Sequence, residues 1–566
     1  DVSWRQPAQE EIMSKLISFV FSVVGLSIAV AAASASQEDS AAVTLKMVQQ
    51  AEDVIGLEFT PEERDSLLEN VNEFLGFYHQ MRAVAIDNSV PPALLFDPIP
   101  AGMSFSSEQE ELVFADVSDV TMPERFEDLA FYSVPQLAEL VRTGQVTSVQ
   151  LTQLALDRLR RYDTLLHCVV TLTEETALAR AARADQEIAD GHYRGPLHGI
   201  PYGAKDLLAT RDYPTTWGAM PYRDQVIDAD ATVIEKLEEA GAVLVAKLSL
   251  GALAWGDVWF KDTTRNPWNL EQGSSGSSAG PAAAVSAGLV PFAIGTETWG
   301  SIVSPSTRCG TTGLRPTFGR VSRAGAMALS WSMDKIGPIC REVEDCAMVL
   351  EAIGGPDGID QTVFDLPFNY TPEIELSDLH IGYLKGDFEK DTVNTAQNAA
   401  SLQTLRDLGA DLIEITLPDL PIDPMQIVLL AEAAAAFDDL TRSGRDDLLV
   451  RQVKNAWPNV FRSARFIPAV EYIQANRLRT LVIDRMAELM DTIDVYVAPT
   501  FAGNNLLLTN LTGHPCVVLP NGFTDEGTPT SITFIGNLFD EGTLLAVARK
   551  FQEATDFDAK HPERFK

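Results

Sequence analysis

The chain is poor in cysteine, histidine and basic charge. Its five cysteines, Cys168, Cys309, Cys340, Cys346 and Cys516, are odd in number and scattered over 566 residues. That excludes a disulfide scaffold and leaves them as small buried hydrophobes. The seven histidines (His79, His167, His192, His198, His380, His514 and His561) form no His-x-x-x-His spacing and no Cys/His quartet, so no metal site is expected. Lys and Arg number 43 against 80 Asp and Glu, a net charge of −37. Such a surface repels phosphate backbones and excludes nucleic acid as a partner. Glycine (37) and proline (31) are near average usage and 46% of the residues are hydrophobic. Collagen-like, low-complexity and disordered chains are thereby excluded, and a globular protein with a large core remains.

Long apolar runs are also scarce, with one exception. Met13-Ser-Lys15 leads into an apolar stretch from Leu16 to Ala33, followed by Ala33-Ser-Ala35 and the polar Gln37-Glu38-Asp39. A positive start, an apolar middle and a small-residue exit form the pattern of a secretory signal peptide over 13–35. Residues 1–12 then read as an upstream extension that is not native. The expected product is periplasmic or secreted, without stable membrane association once the signal is cleaved. An uncleaved anchor is the alternative, since this run is just long enough to cross a bilayer.

Residues 36–130 read as a helical extension and a proline-rich arm. Leu45, Val48 and Ala51 recur at helical spacing, and Thr60-Pro61-Glu62-Glu63 starts a second helix with an N-cap, a first-turn proline and early acids. Between Val90 and Met122, Pro91, Pro92, Pro98 and Pro100 suit a connecting arm. The boundary is expected near residue 130, with 131–566 as the main domain. The extension would pack on that body or on a second copy of the chain, as in a homodimer. In the main domain, Thr147-Ser148 caps a helix bearing Leu151, Leu154 and Leu159. Thr232 to Ala240 is amphipathic and ends at Gly241, and Val243 to Leu248 is a strand-length apolar run. Alternation of this kind predicts an α/β fold, a sheet sandwiched by helices.

Three segments could carry chemistry. In Gly195-Pro-Leu-His-Gly-Ile-Pro-Tyr-Gly-Ala-Lys205-Asp206, the apolar Ile200 to Ala204 puts Lys205 at the end of a buried strand. A lysine there either snorkels to water or accepts desolvation, which lowers its pKa toward that of a usable base. The run Gly273-Ser-Ser-Gly-Ser-Ser-Ala-Gly280 is a flexible loop by composition, yet it runs directly into Ala282-Ala-Ala-Val285, a good helix start. In Gly295-Thr-Glu-Thr-Trp-Gly-Ser301, the serine follows an apolar segment in a sharp turn, where its hydroxyl and neighbouring N–H groups could serve one reacting carbonyl.

These segments, with Gly313-Leu-Arg-Pro-Thr-Phe-Gly-Arg320, Asp334-Lys-Ile-Gly-Pro338, Ala498-Pro-Thr500 and Asn510-Leu-Thr-Gly-His-Pro515 in order, resemble the amidase signature hydrolases over about 131–566. The resemblance implies a mixed central sheet between helices and a Ser, cis-Ser, Lys triad without metal or cofactor. By matched position, Lys205 is the base, Ser277 the cis-serine and Ser301 the nucleophile. The Ser274-Ser275 pair is the copy passed over. The backbone N–H groups of Thr298, Trp299, Gly300 and Ser301 are the implied oxyanion donors. Two departures stand out: Glu297 replaces the family's aspartate and Trp299 a glycine. Val303 occupies a place where members acting on amino-acid amides often carry an arginine, so an uncharged small-molecule amide is expected.

The reading that follows is an exported hydrolase of carboxamides, extending to esters, anilides or carbamates, since one acyl-enzyme route serves them all. The alternatives are a glutaminase-type A subunit of an amidotransferase and an inactive binding protein on the same fold.

Overall fold

The apolar runs become strands of one mixed sheet. In the computed structural model, residues 42–566 are described, so the extension at 1–12 and the signal segment at 13–35 lie outside the described residues. The strands are β1 (Val169–Leu172), β2 (Pro201–Lys205), β3 (Val243–Leu248), β4 (Arg265–Asn266), β5 (Asn269–Gly273), β6 (Phe292–Glu297) and β7 (Thr312–Arg315). They continue with β8 (Lys335–Cys340), β9 (Ile381–Tyr383), β10 (Leu412–Glu414), β11 (Val495–Pro499), β12 (Cys516–Phe523) and β13 (Pro529–Gly536). Eleven of these form one sheet in the order β1-β3-β2-β6-β8-β7-β12-β13-β11-β9-β10, and β4 and β5 pair separately. The run β3-β2-β6 is parallel, whereas β6-β8-β7-β12-β13-β11 is antiparallel throughout. Strands β2, β3, β6, β7 and β8 are buried along their whole length, as strands covered on both faces must be. Helices such as Ser148–Leu166, Ala279–Ser286 and Val343–Ile353 supply the cover. This is the α/β sandwich expected above.

Helix starts lie where the capping residues put them. Thr147 and Gln150 form a capping box for Ser148–Leu166, satisfying two donors that a helix end leaves orphaned. All five cysteines are free and buried.

The described residues divide into two compact units at Ile86/Asp87, not near residue 130. The first contains two helices, Leu45–Ile55 and Pro61–Arg82. Arg64 Nε pairs with Glu52 at 2.8 Å, and Asn72 accepts from Val43 N at 2.8 Å and donates to its carbonyl at 3.2 Å. The second unit starts at Asp87, so the proline-rich arm belongs to the body. Its backbone is held by distant partners: Val113 N donates to Tyr370 O at 3.0 Å and Ala115 N to Glu344 Oε1 at 2.7 Å. Proline content gives the arm no regular structure of its own, but does not stop it packing as an extended strap.

Two neighbouring acids, half-buried Glu342 and buried Asp345, mark the start of helix Val343–Ile353, where they form the capping box. Burial, with Asp345 and Asp558 as negative neighbours, pushes Glu342 up to about 8; burial pushes Asp345 up to about 6 against the pull of Arg341. Both folded values exceed the unfolded ones. The protonated pair therefore contributes stability that is fully present below about pH 4 and lost as pH rises to about 8. Glu342→Gln should match the parent in melting temperature at about pH 4 and exceed it near pH 9, because only the parent must bury a charge there. Equal melting temperatures at both ends of that range would refute this.

Candidate active site

Two parallel neighbours, β2 and β6, deliver the site. Lys205 ends β2 and is fully buried. Its Nζ lies 2.8 Å from Ser277 Oγ, 3.0 Å from Ser278 Oγ and 2.8 Å from Thr296 Oγ1. Burial drives its pKa well below the ordinary lysine range, against the opposing pull of Asp334 and Glu297. A neutral amine has two protons to give and one lone pair to offer, so the three hydroxyls cannot all accept from it. Ser278 decides the pattern. Its Oγ donates to Thr296 O and accepts from Thr296 N, each at 3.1 Å. The Ser278 proton is thus committed to a backbone carbonyl, and its remaining lone pair faces Lys205. The Ser277 proton is free to point at the Nζ lone pair.

The loop before helix Ala279–Ser286 is closely packed and not a free linker: a Cβ on Gly276 would lie 1.9 Å from Gly256 O, so only glycine fits. The Gly276–Ser277 peptide is cis. The earlier serines face elsewhere. Ser274 Oγ donates to Ser275 O at 3.0 Å, and Ser275 Oγ pairs with Ser304 Oγ at 2.7 Å.

Beyond β6 the chain turns through Thr298, Trp299, Gly300 and Ser301. The left-handed residue of this turn is Gly300, φ +85°. Trp299 keeps an ordinary backbone and is 40% exposed, so the substitution that stood out in the sequence costs the turn nothing. Among the described residues, the backbone N–H groups of Thr298, Trp299, Gly300 and Ser301 have no protein hydrogen-bond partner, whereas those of Ile302 and Val303 donate to Glu297 Oε2 at 2.8 and 3.0 Å. Ser301 is 8% exposed. Its carbonyl accepts from Ser278 N at 3.1 Å, which ties the two serine loops together. The Ser301 hydroxyl has no protein partner among the described residues, so Ser277 is bonded to Lys205 but not to Ser301. Such gaps are common before substrate binds.

Glu297 organises the floor of the turn, a role the sequence reading missed. Its Oε1 accepts from Arg315 Nη1 and from Asn510 Nδ2, both at 2.8 Å, and the Glu297–Arg315 pair is fully buried. Arg315 also donates to Thr509 Oγ1 at 2.9 Å and to the His514 carbonyl at 3.0 Å. Burial alone would raise the Glu297 carboxyl; Arg315 and the donated hydrogen bonds outweigh it and hold the group at about 2. Arg315 and Asn510 belong to motifs quoted above, but nothing in one dimension joins them to Glu297. A second buried pair, Lys247 with Asp206 at 2.9 Å, braces the segment following Lys205.

A family model described as Amidase matches residues 150–508. The chain belongs to the amidase family. This amidase is 33% identical over 492 residues to the A subunit of the glutamyl-tRNA(Gln) amidotransferase of Moorella thermoacetica, a match covering 77% of this chain and 99% of that relative. It also resembles the solved peptide amidase of Stenotrophomonas maltophilia, with 29% identity and a TM-score of 0.69 over 76% of this chain and 98% of that one. A bacterial aryl acylamidase at 24% identity, TM-score 0.68, covers 76% of this amidase and 99% of its own chain, and shares its fold. The chain is an amidase-signature enzyme acting on C–N bonds, and the relatives' names favour the amidotransferase alternative over the free-standing exported hydrolase.

Proposed function

We propose that this amidase hydrolyses the C–N bond of neutral carboxamides through an acyl-enzyme on Ser301. The observation that carries the reading is the 2.8 Å contact between Lys205 Nζ and Ser277 Oγ, made where burial favours the neutral amine. As Ser301 Oγ bonds to the carbonyl carbon, its proton passes to Ser277 Oγ, whose own proton passes to Lys205 Nζ. The free N–H groups from Thr298 to Ser301 face the developing oxyanion, each worth about 3 kcal/mol in comparable sites. Collapse breaks the C–N bond, and the proton returns through Ser277 to the departing nitrogen. Water then repeats the cycle on the ester carbon. Esters, anilides and carbamates are further candidates for the same route. The pattern at 13–35 supports export to the periplasm or medium.

The relatives support a second reading, a glutaminase component that releases ammonia from glutamine for a partner. Assaying purified protein on acetamide, benzamide, anilides and glutamine separates the two. Turnover of neutral amides without a partner supports the first, and glutamine turnover only with a partner supports the second. Within the first, Ser277→Ala is expected to lose about 10²- to 10⁴-fold in kcat, while Ser275→Ala stays within about threefold of the parent. The reverse order would assign the relay to the wrong serine copy.

A further inference from the structure

The arm that precedes the family-matched residues closes over a cavity beside this site. It is fixed at two points. Asn88 Nδ2 donates to Ala328 O at 3.0 Å and to Ala436 O at 3.4 Å, and its Oδ1 accepts from Ala328 N at 2.8 Å. Eight residues on, the Phe96 ring meets Phe318 edge-on at 4.9 Å and lies 3.5 Å beneath the Arg479 guanidinium. Between the anchors, Pro91 and Pro92 stiffen the backbone, and Leu94 and Leu95 are 85% and 45% exposed.

Beneath this span is a cavity of about 170 Å³. Its outer wall is Pro91, Leu94 and Leu95. Its inner wall includes Leu207, two residues beyond Lys205, and Thr298, three residues before Ser301. An apolar cavity of about 150 Å³ accepts benzene, so this one holds an aryl ring or a short aliphatic chain. Of the charged groups around it, Arg323 and Asp360 form an ion pair, and Asp334 and Lys335 are held by hydrogen bonds within the protein. Arg323 forks onto Asp360 at 3.0 Å and donates to Trp331 O at 2.7 Å. Asp334 Oδ2 accepts from Leu329 N at 2.8 Å and Ser330 N at 2.9 Å, and Lys335 Nζ donates to the Met333 carbonyl. Among the lining side chains, the Trp331 Nε1 donor is the one buried polar atom without a partner.

Resting on the reading above, we propose that residues 87–96 are a specificity strap, completing an apolar pocket that selects uncharged amides bearing an aryl or short aliphatic group beside the scissile bond. Since the family match begins at residue 150, this selectivity comes from outside the shared part of the fold.

The test compares the full-length parent with Leu94→Ala/Leu95→Ala and with Asn88→Ala. One readout is the ratio of kcat/KM for benzamide, acetanilide and hexanamide to that for acetamide. The other is affinity for benzamide and acetamide in a Ser301→Ala background, measured calorimetrically, which needs no turnover. The ratio is expected to fall about tenfold or more in the double variant, through KM, with a matching loss of benzamide affinity. Asn88→Ala should fall in the same direction. Benzamide and acetanilide report separately on the acyl and amine sides of the bond. Variant profiles that overlay the parent overturn the strap, as does a parent that prefers acetamide or glutamine to every larger neutral amide. Full turnover in Ser301→Ala would instead condemn the underlying reading, while the binding comparison would still judge the strap.

Discussion

Lys205→Ala is expected to lower kcat for every amide substrate by about 10⁴- to 10⁶-fold, the scale seen when a member of a hydrolytic triad is removed. Lys205 Nζ is enclosed with Ser277, Ser278 and Thr296, whereas Lys247 is bound to Asp206 on the same sheet and Lys335 Nζ donates to the Met333 carbonyl. Lys205→Arg should be as inactive as the alanine variant, because a guanidinium stays protonated and cannot accept a proton. The sign of the pH dependence follows from burial. Activity requires neutral Lys205, so the parent should lose activity as pH falls through the depressed Lys205 pKa and hold it well below the ordinary lysine range. Phosphonylation of Ser301 by a small fluorophosphonate gives a second measure that needs no substrate. The Lys205 variants should label at a small fraction of the parent's rate. Unchanged labelling in both would remove the lysine from the mechanism.

Glu297→Ala should be the most destabilising single change in the site, by about 3 to 5 kcal/mol, the cost of leaving one member of a buried ion pair alone. The change strands Arg315, fully buried, and frees the Ile302 and Val303 N–H groups that fix the end of the nucleophile turn. Glu297→Gln is expected to lose nearly as much, since its amide NH₂ would confront those two donors with further donors. Pairing Glu297→Gln with Arg315→Met should regain part of the loss, because the stranded charge goes with the arginine. Denaturation midpoints across this cycle measure the coupling. Additive losses in the double variant would mean that the pair is not the source of the effect.

These two residues also show where one-dimensional reading succeeds and fails. Lys205 could be placed from Ile200 to Ala204 alone, because a short apolar run is a local signal and the residue at its end inherits the run's burial. The caps at Thr60 and Thr147 were legible for the same reason. Glu297 looked only like a departure from a motif, since its partners Arg315 and Asn510 lie 18 and 213 residues away in sequence. The strand order was likewise out of reach: β3 sits between β1 and β2, and β8 between β6 and β7. Proline density made the stretch from Val90 to Met122 look like a tether. Its packing depends on single side chains such as Asn88, whose partners at 328 and 436 have no periodic signature.

The parallel pairing of β2 with β6 bears on how this enzyme wears out. Tyr202 lies opposite Phe292 and Ala204 opposite Ile294, so the two chemical arms leave one edge of a pleated platform a single rung apart, roughly 4.8 Å. That gap is written into the ladder's own amide lattice and holds Lys205 beside Thr296 near the end of β6. Ser277 and Ser301 ride instead on the two loops joined by Ser278 N and Ser301 O at 3.1 Å, so loosening there parts the hydroxyls from the base while the rungs stay whole.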